Sequence, residues 1–229
     1  MILMRIIGLT DIHGRIINFD KLLRYKPDAI LISGDFTKHS FVKNNQENNQ
    51  DDFFKKNLKL LEFLKNLNNS VKIFLIPGNW DDKETIEKMN EFNLNIDEKI
   101  LKIDDLFLIG IGGSNITPIN SPNEYSEEEI YLKFLNAIKG FEQNIKNKFI
   151  LLTHAPPKNT MADRSFEGHV GSLSIRKIIE EFKPVLCVCG HIHESRCIDK
   201  LGKSLIVNPS SIGFFIYDTK SKNLEIYDL

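Results

Sequence analysis

Seven residues whose side chains can bind a metal ion follow short apolar stretches of this sequence. They are four histidines, two aspartates and one asparagine, namely Asp11, His13, Asp35, Asn79, His154, His191 and His193. Imidazole, carboxylate and carboxamide groups suit manganese, iron, nickel, cobalt or zinc, and a set without thiolates argues against a structural zinc site. Because seven donors exceed what one such ion usually takes from a protein, the set predicts two ions that share a bridging carboxylate.

The apolar stretches are typical of strands buried on both faces. They are RIIGLT (5–10), AILIS (29–33), KIFLI (72–76), FLIGIG (107–112), FILLT (149–153) and VLCVC (185–189), and all but FLIGIG end at the metal-binding residues. In an open parallel sheet the carboxyl ends of the strands share one edge, so we expect the seven side chains to meet in one crevice. Gly34, Gly78 and Gly190 come just before three of the ligands and would allow sharp turns there.

Segments with apolar residues every three or four positions separate the strands. They cover residues 51–67, 82–92, 126–141 and 172–182, and each opens near an Asp or Ser that can cap a helix. Alternating strands and helices predict an α/β fold with a largely parallel central sheet. The C-terminal stretches KSLIVNPSS, GFFIYDT and NLEIYDL lack intervening helices and predict antiparallel strands.

Composition narrows the class of protein. The 229 residues include 30 basic and 31 acidic side chains, a formal net charge of -1, which gives no global reason to expect a nucleic acid or acidic membrane as partner. MILMRIIGL lacks the basic region and cleavage site of a signal peptide, and no apolar stretch approaches the roughly 18 residues that span a bilayer. We expect a cytoplasmic protein with one domain over residues 1–229, without a membrane or stable nucleic-acid partner.

In order and spacing, the motifs resemble those of the calcineurin-like metallophosphoesterases. The matching stretches are GLTDIHG, ISGDFT, IPGNWDD, LLTHAPP and CGHIHES, within residues 8–195. Two further stretches, GIGGSNITPINSPNEYSEEEI and HVGSLSIRKIIEEFKP, resemble a small prokaryotic, largely archaeal branch of predicted phosphoesterases related to the Icc phosphodiesterase. The resemblance implies a four-layer α/β/β/α sandwich, in which two mixed sheets lie between layers of helices.

The resemblance also divides the ligands between two divalent transition-metal ions, with Asp35 as the bridge. One ion would be held by Asp11, His13 and His193, and the other by Asn79, His154 and His191. We expect manganese first, with nickel, iron, cobalt or zinc as alternatives. The implied reaction is hydrolysis of a small phosphomonoester or phosphodiester substrate by a metal-bridging hydroxide, without a covalent enzyme intermediate.

One residue departs from this pattern. The commonest family motif is G-N-H-D/E, whereas GNWDD has Trp80 in place of the histidine. Indole does not usefully donate a proton at neutral pH, so a poor leaving group would need another acid. His39 in GDFTKHS and His169 in EGHVGS are the two histidines outside the ligand set, with surface or packing roles as the alternative. The candidate catalytic residues are therefore Asp35, Asn79, His154, His39 and His169.

Other positions are weaker candidates. Asp81 would cap the following helix or orient a ligand, and Asn115 lies in a turn after two glycines. Arg164 and Arg176 could pair with phosphate but are more typical of solvated salt bridges. The N-terminus of the helix predicted at 172–182 could hold a phosphate oxygen.

A protein-interaction module on the same fold is the alternative to an enzyme. Loss of metal-binding histidines is expected of such a scaffold, whereas all seven ligand positions are filled here. A DNA-repair nuclease of the superfamily fits poorly, because the chain is short and has no basic stripe. The sequence therefore favours a metal-dependent phosphoesterase and leaves its substrate and oligomeric state open.

Overall fold

The apolar stretches form strands in the computed structural model, which describes residues 4–37 and 48–229 and, of residues 48–55, only the backbone. The helices are α1 Phe19–Leu23, α2 Asn48–Leu67, α3 Lys83–Glu91, α4 Glu127–Ala137, α5 Glu142–Ile145 and α6 Leu173–Phe182, with a 3-10 turn at Met161–Asp163. The first eight strands are β1 Arg5–Leu9, β2 Ala29–Ser33, β3 Lys72–Ile76, β4 Ile100–Ile103, β5 Leu106–Ile111, β6 Ser114–Asn115, β7 Glu124–Tyr125 and β8 Phe149–Thr153. The others are β9 Arg164–Ser165, β10 Gly168–His169, β11 Leu186–Val188, β12 Cys197–Leu201, β13 Ser204–Asn208, β14 Gly213–Asp218 and β15 Asn223–Asp228.

The longer strands form two mixed sheets. The first has the order β15-β14-β1-β2-β3, in which β1, β2 and β3 are parallel and β14 is antiparallel to both of its neighbours. The second has the order β12-β13-β11-β8-β5-β4, with four parallel central strands and an antiparallel strand at each edge. The largely parallel central sheet predicted from the alternation of strands and helices is therefore wrong. Strands buried on both faces look alike in sequence whichever sheet they join, so the alternation alone could not assign them to two sheets.

Apolar side chains fill three interfaces between four layers. Residues between the sheets, among them Ile6, Leu31, Leu152 and Val188, are completely buried. Helices α1, α2 and α3 cover the outer face of the first sheet, and α4, α5 and α6 cover the outer face of the second. The α/β/β/α sandwich implied by the resemblance is confirmed. No helix within the described ranges is both long and apolar enough to cross a bilayer.

The loops that leave the two sheets approach each other very closely at glycines. Gly34 has a φ of 84°, and a Cβ there would lie 2.5 Å from the Cα of Gly78 and 2.8 Å from His154 Nδ1. A Cβ at Gly78 would lie 2.0 Å from Asp35 Oδ1. Gly190 is equally crowded by the loop after β1. Of the three predicted turn glycines, Gly34 has left-handed backbone, whereas Gly78 and Gly190 are needed for close approach.

Asp81 joins the loops that follow β2 and β3. Its buried carboxylate accepts hydrogen bonds from the backbone N–H groups of Asp35 (3.0 Å), Phe36 (2.8 Å), Thr37 (2.9 Å) and Gly78 (2.8 Å). The hydroxyl of Thr37 donates a further bond of 3.1 Å. Asp81 therefore holds the backbone on which two predicted ligands stand.

The expected helix cap lies one residue further on. Asp82, not Asp81, is the N-cap of α3, and its Oδ1 accepts a 2.7 Å hydrogen bond from the backbone N–H of Thr85. Asp81 and Asp82 thus offer two adjacent carboxylates with different structural roles.

We expect Asp81→Asn to lower the free energy of unfolding by about 2–4 kcal/mol, because its NH₂ group would face backbone N–H donors and leave buried groups unpaired. Urea denaturation measures this loss. The matched control is Asp82→Asn, which should change stability by less than about 0.5 kcal/mol because Asn and Asp are comparable N-caps. Equal losses in the two variants would contradict the proposed role of Asp81.

Candidate metal centre

All seven predicted ligands lie just beyond the carboxyl ends of strands, and they come from both sheets. The first sheet supplies Asp11, His13, Asp35 and Asn79, and the second supplies His154, His191 and His193. The side chains therefore meet at the junction of two sheets rather than along the edge of one. Convergence is as predicted, but its geometry differs because the fold has two sheets.

One group of donors contains Asp11, His13 and His193, whose ligand atoms all lie within 4.8 Å of one another. His193 Nε2 is 3.3 Å from Asp11 Oδ1 and 3.2 Å from His13 Nε2. The carboxylate of Asp11 is fully buried, whereas the side chains of His13 and His193 are partly exposed. This group is the one that the resemblance assigns to the first ion.

A second group surrounds the carboxamide oxygen of Asn79. His154 Nε2 lies 2.9 Å from Asn79 Oδ1, and His191 Nδ1 lies 3.0 Å from the same atom. One ligand atom each of Asp11, Asp35 and His154 also lie within 4.8 Å of one another, so Asp11 links the first group to His154. The donors implied for the second ion are therefore in contact.

Asp35 lies between the two groups. Its Oδ2 is 3.7 Å from His13 Nε2 in the first group and 3.5 Å from His154 Nε2 in the second. Its other oxygen, Oδ1, accepts a 3.0 Å hydrogen bond from the backbone N–H of Trp80. The hydrogen bond to Oδ1 thus orients the carboxylate, and Oδ2 faces both donor groups.

Backbone carbonyls fix two of the imidazole rings. Nδ1–H of His13 donates to Thr37 O at 3.1 Å, and Nδ1–H of His154 donates to Ser33 O at 2.6 Å. In the neutral ring this places the lone pair on Nε2, the nitrogen that faces the cluster. Nitrogen and oxygen donors in this arrangement fit a borderline divalent cation.

Burial and neighbouring charges shift the pKa values of the cluster in opposite directions. Burial would raise the pKa of Asp35, but His154 and His13 hold it well below its usual range. Burial would lower the pKa of His154, but Asp35 raises it to about 9. Burial, with the charge of His154, lowers the pKa of His191 to about 4. Asp35 and His191 therefore have the protonation states of ligands, whereas His154 would exchange a proton for a cation.

Four of the ligands have left-handed backbone. The φ angles are 52° at Asp11, 48° at His13, 54° at Asp35 and 69° at His191. Such backbone costs non-glycine residues on the order of 1–3 kcal/mol each and persists where the surroundings hold it. Here the N–H of Asp11 donates to Gly34 O at 3.1 Å and that of His13 donates to Asp35 O at 2.8 Å. These bonds hold the left-handed backbone that orients the donors.

A cavity of about 1110 Å³ opens over the cluster. Its lining includes the ligands His13, Asp35, Asn79, His191 and His193, together with Trp80, Asn115 and His169. The structure therefore places Trp80 and His169 on the wall of the cavity that contains these five ligands. His39 lies outside the described residues, so its predicted role stays a prediction.

His169 is paired with a carboxylate that the sequence did not indicate. Its Nδ1 lies 2.7 Å from Oδ1 of the buried Asp163. Asp163 also accepts hydrogen bonds from the backbone N–H groups of Asn159, Thr160 and Gly171 at 3.0, 2.9 and 3.0 Å. These bonds hold the carboxylate of Asp163 in position against Nδ1 of His169. A single Asp in an irregular segment gave no signal for this pair.

The N-terminus of α6 is closed by a carboxylate from α4. Glu127 accepts hydrogen bonds from the N–H groups of Leu173 and Ser174 at 2.9 and 2.7 Å and from the hydroxyl of Ser172 at 2.7 Å. The expectation that this helix end binds phosphate is wrong, because a protein carboxylate already occupies its free amides.

The remaining candidates have structural contacts. Arg176 pairs with Glu180 at 2.9 Å, as expected of a salt bridge. Asn115 Nδ2 donates a 3.1 Å hydrogen bond to Val170 O. Arg15, which sequence reasoning missed, lines the cavity and donates to Asp11 O at 2.7 Å. Its signal was its place two residues after the D-x-H motif.

Known proteins resemble this chain in sequence and in fold. The sequence profile of the calcineurin-like phosphoesterase family matches residues 4–195. An uncharacterized protein of Methanocaldococcus jannaschii is 46% identical over 230 residues, which cover 98% of this chain and 96% of the relative.

Two solved structures have the same fold at low sequence identity. A Thermus thermophilus protein superimposes with a TM-score of 0.70 and 16% identity, over 99% of both chains. The calcineurin-like phosphoesterase YfkN from Bacillus subtilis gives a TM-score of 0.54 with 11% identity, over 99% of this chain and 89% of its own. Because the matched profile covers most of the chain, the chain belongs to the calcineurin-like phosphoesterase family.

Proposed function

We propose that this protein hydrolyses phosphomonoesters or phosphodiesters with two divalent metal ions. Family membership and the candidate ligands support a metal-dependent phosphoesterase in general. The observation that carries the two-ion proposal is the position of Asp35, whose Oδ2 lies 3.7 Å from an imidazole of one donor group and 3.5 Å from an imidazole of the other.

The ligand assignment follows the two donor groups. Asp35 would bind both ions; the others would divide as Asp11, His13 and His193 for one, and Asn79, His154 and His191 for the other. When bound, two divalent ions activate water for attack on phosphorus and neutralise charge that develops on the phosphoryl group. We propose manganese first, with nickel, iron, cobalt or zinc as alternatives, and no covalent enzyme intermediate.

The protein's own residues would keep the donors in place. Asp81 holds the backbone N–H groups of Asp35 and Gly78, and Trp80 N–H orients the Asp35 carboxylate. Donors fixed before the substrate arrives need little reorganisation during the reaction. Trp80 would therefore act through its backbone, not as the proton donor that the family motif usually has at this position.

We assign protonation of the leaving group to His169. Its imidazole lines the cavity, and Asp163 accepts a hydrogen bond from Nδ1–H, so that Nε2 is the nitrogen left to carry a transferable proton. The side chain of His169 is 38% exposed, which gives it access to solvent protons between turnovers. His169 would thus take over the proton transfer that Trp80 cannot perform.

A metal-binding scaffold without turnover is the second candidate. This function is supported by Trp80, which occupies the position where the family motif commonly has a histidine. Against it stands the complete set of seven donors, four of which are held in left-handed backbone that a scaffold without turnover would not need. Metal binding alone therefore does not decide between the two functions.

We expect the manganese-loaded protein to hydrolyse bis-nitrophenyl phosphate and nitrophenyl phosphate. Asp35→Asn and His154→Ala should each lower the rate at least about 100-fold, because each removes a donor at the centre of the cluster. Nitrophenolate absorbance gives the rates, and elemental analysis gives the metal content. Glu180→Gln, on the exposed face of α6, serves as the control. Two bound ions without hydrolysis of any ester would favour the scaffold.

We expect His169→Gln to lower kcat on an alkyl phosphoester about 10²- to 10⁴-fold and to leave kcat on the nitrophenyl ester nearly unchanged, because nitrophenolate leaves without protonation. A structural role would lower both rates alike. That result, or no change on either ester, would remove His169 from the mechanism.

A further inference from the structure

Two surface segments expose large apolar side chains at the walls of the cavity. Ile116 and Ile119 follow β6 and are 68% and 57% exposed. Phe166, in the turn between β9 and β10, is 99% exposed. All three line the cavity that contains the donor groups. Isolated exposed apolar residues are ordinary, but several around one cavity indicate a binding surface.

Hydrogen bonds hold both segments in place. Asn115 Nδ2 donates to Val170 O at 3.1 Å and thereby links the segment after β6 to the segment after β10. Ser121 donates its hydroxyl to Glu124 at 2.5 Å and accepts a 2.7 Å hydrogen bond from Asn79 Nδ2. Ser121 follows the apolar segment by two residues and so connects it to a side chain of the donor cluster. Its distance from the reacting centre is set by the fold.

The hairpin that carries Phe166 is equally well anchored. Gly168 and His169 pair with Ser165 and Arg164 in an antiparallel ladder, and the carbonyl of Arg164 accepts a hydrogen bond from the hydroxyl of Ser195. The aromatic ring at its tip is thus exposed by a fixed turn.

We propose that the organic group of the phosphoester substrate is aromatic and binds between Phe166 and the segment Ile116–Ile119, with its phosphoryl group against the donor cluster. The inference rests on the proposed phosphoesterase function and names the substrate class. A cavity of about 1110 Å³ far exceeds a phosphate group and leaves room for an organic group of drug-like size. Two aromatic side chains, Phe166 and Trp80, line it, and flat rings favour a flat partner.

The binding test uses non-hydrolysable phosphonates and the manganese-loaded protein. Isothermal titration compares methylphosphonate, naphthylmethylphosphonate and decylphosphonate, and the fluorescence of Trp80, the single tryptophan of the chain, reports on the cavity independently. We expect the naphthyl compound to bind at least about tenfold more tightly than the methyl compound, as burial of one large apolar group allows. Decylphosphonate should bind more weakly than the naphthyl compound.

Variants locate the effect. Phe166→Ala and Ile119→Ala should each reduce the preference for the naphthyl compound at least about threefold and leave the affinity for methylphosphonate unchanged. Leu132→Ala removes an exposed apolar side chain of α4 outside the cavity lining and should leave both affinities unchanged. A preference that survives both cavity substitutions would overturn the proposal.

Failure of this inference is distinct from failure of the phosphoesterase function. Equal affinity for methyl and naphthyl compounds, with intact hydrolysis of bis-nitrophenyl phosphate, would overturn only the aromatic group. Decylphosphonate binding as tightly as the naphthyl compound would replace an aromatic group with an alkyl chain. If the unmodified protein bound neither manganese nor any of the phosphonates, both proposals would be overturned.

Discussion

Close packing of the loops that carry the ligands is the constraint on which the candidate site depends. Gly34 and Gly78 bring two loops of the first sheet into backbone contact, and the missing side chain at Gly34 also leaves room for His154 of the second sheet to reach Asp35 and Asn79. Any Cβ at either position would overlap backbone or a donor atom, so the donors would have to separate. The spacing of the cluster is therefore a property of the packed sheets as much as of the ligands themselves.

That contact also gathers an unusual amount of charge. The carboxylates of Asp11, Asp35 and Asp81 are all buried, and burial with the charge of Asp35 raises the pKa of Asp81 to about 6 despite its backbone N–H partners. His154 offsets part of this charge, as its raised pKa indicates. Left-handed backbone at four ligands adds conformational cost. Buried charge and left-handed backbone both destabilise the folded state, and they occur together where function requires a set of donors in one place. Burial of apolar side chains elsewhere in the protein offsets this loss of stability.

The sequence predicted the strands that precede the donors, most helix positions and the convergence of the seven donors, because buried strands give continuous apolar runs and each donor follows one of them. It missed the edge strands Ile100–Ile103 and Cys197–Leu201, which are partly exposed. It did not separate two sheets from one, since a strand's neighbours are not encoded in its own pattern. Nor could it find contacts between distant segments, such as Asp163 with His169 or Glu127 with the end of α6, which depend on how loops pack. The single-domain assignment, the ligand roles and the role of His39 stay predictions.

The link between α4 and α6 has a consequence for the dynamics of the molecule. Ser126 and Glu129 cap the beginning of α4 reciprocally. Glu127, which follows Ser126, accepts hydrogen bonds from the first amides of α6 with its carboxylate, and its backbone carbonyl accepts one from Ser174 Oγ. Neither helix can fray at its beginning without exposing unpaired groups of the other. The two first turns therefore stabilise each other, and Glu127 slows the exchange of the amide hydrogens of Leu173 and Ser174 with solvent. Since α6 begins shortly after the hairpin that carries Phe166, the capped first turn also fixes the C-terminal end of the segment that follows this hairpin.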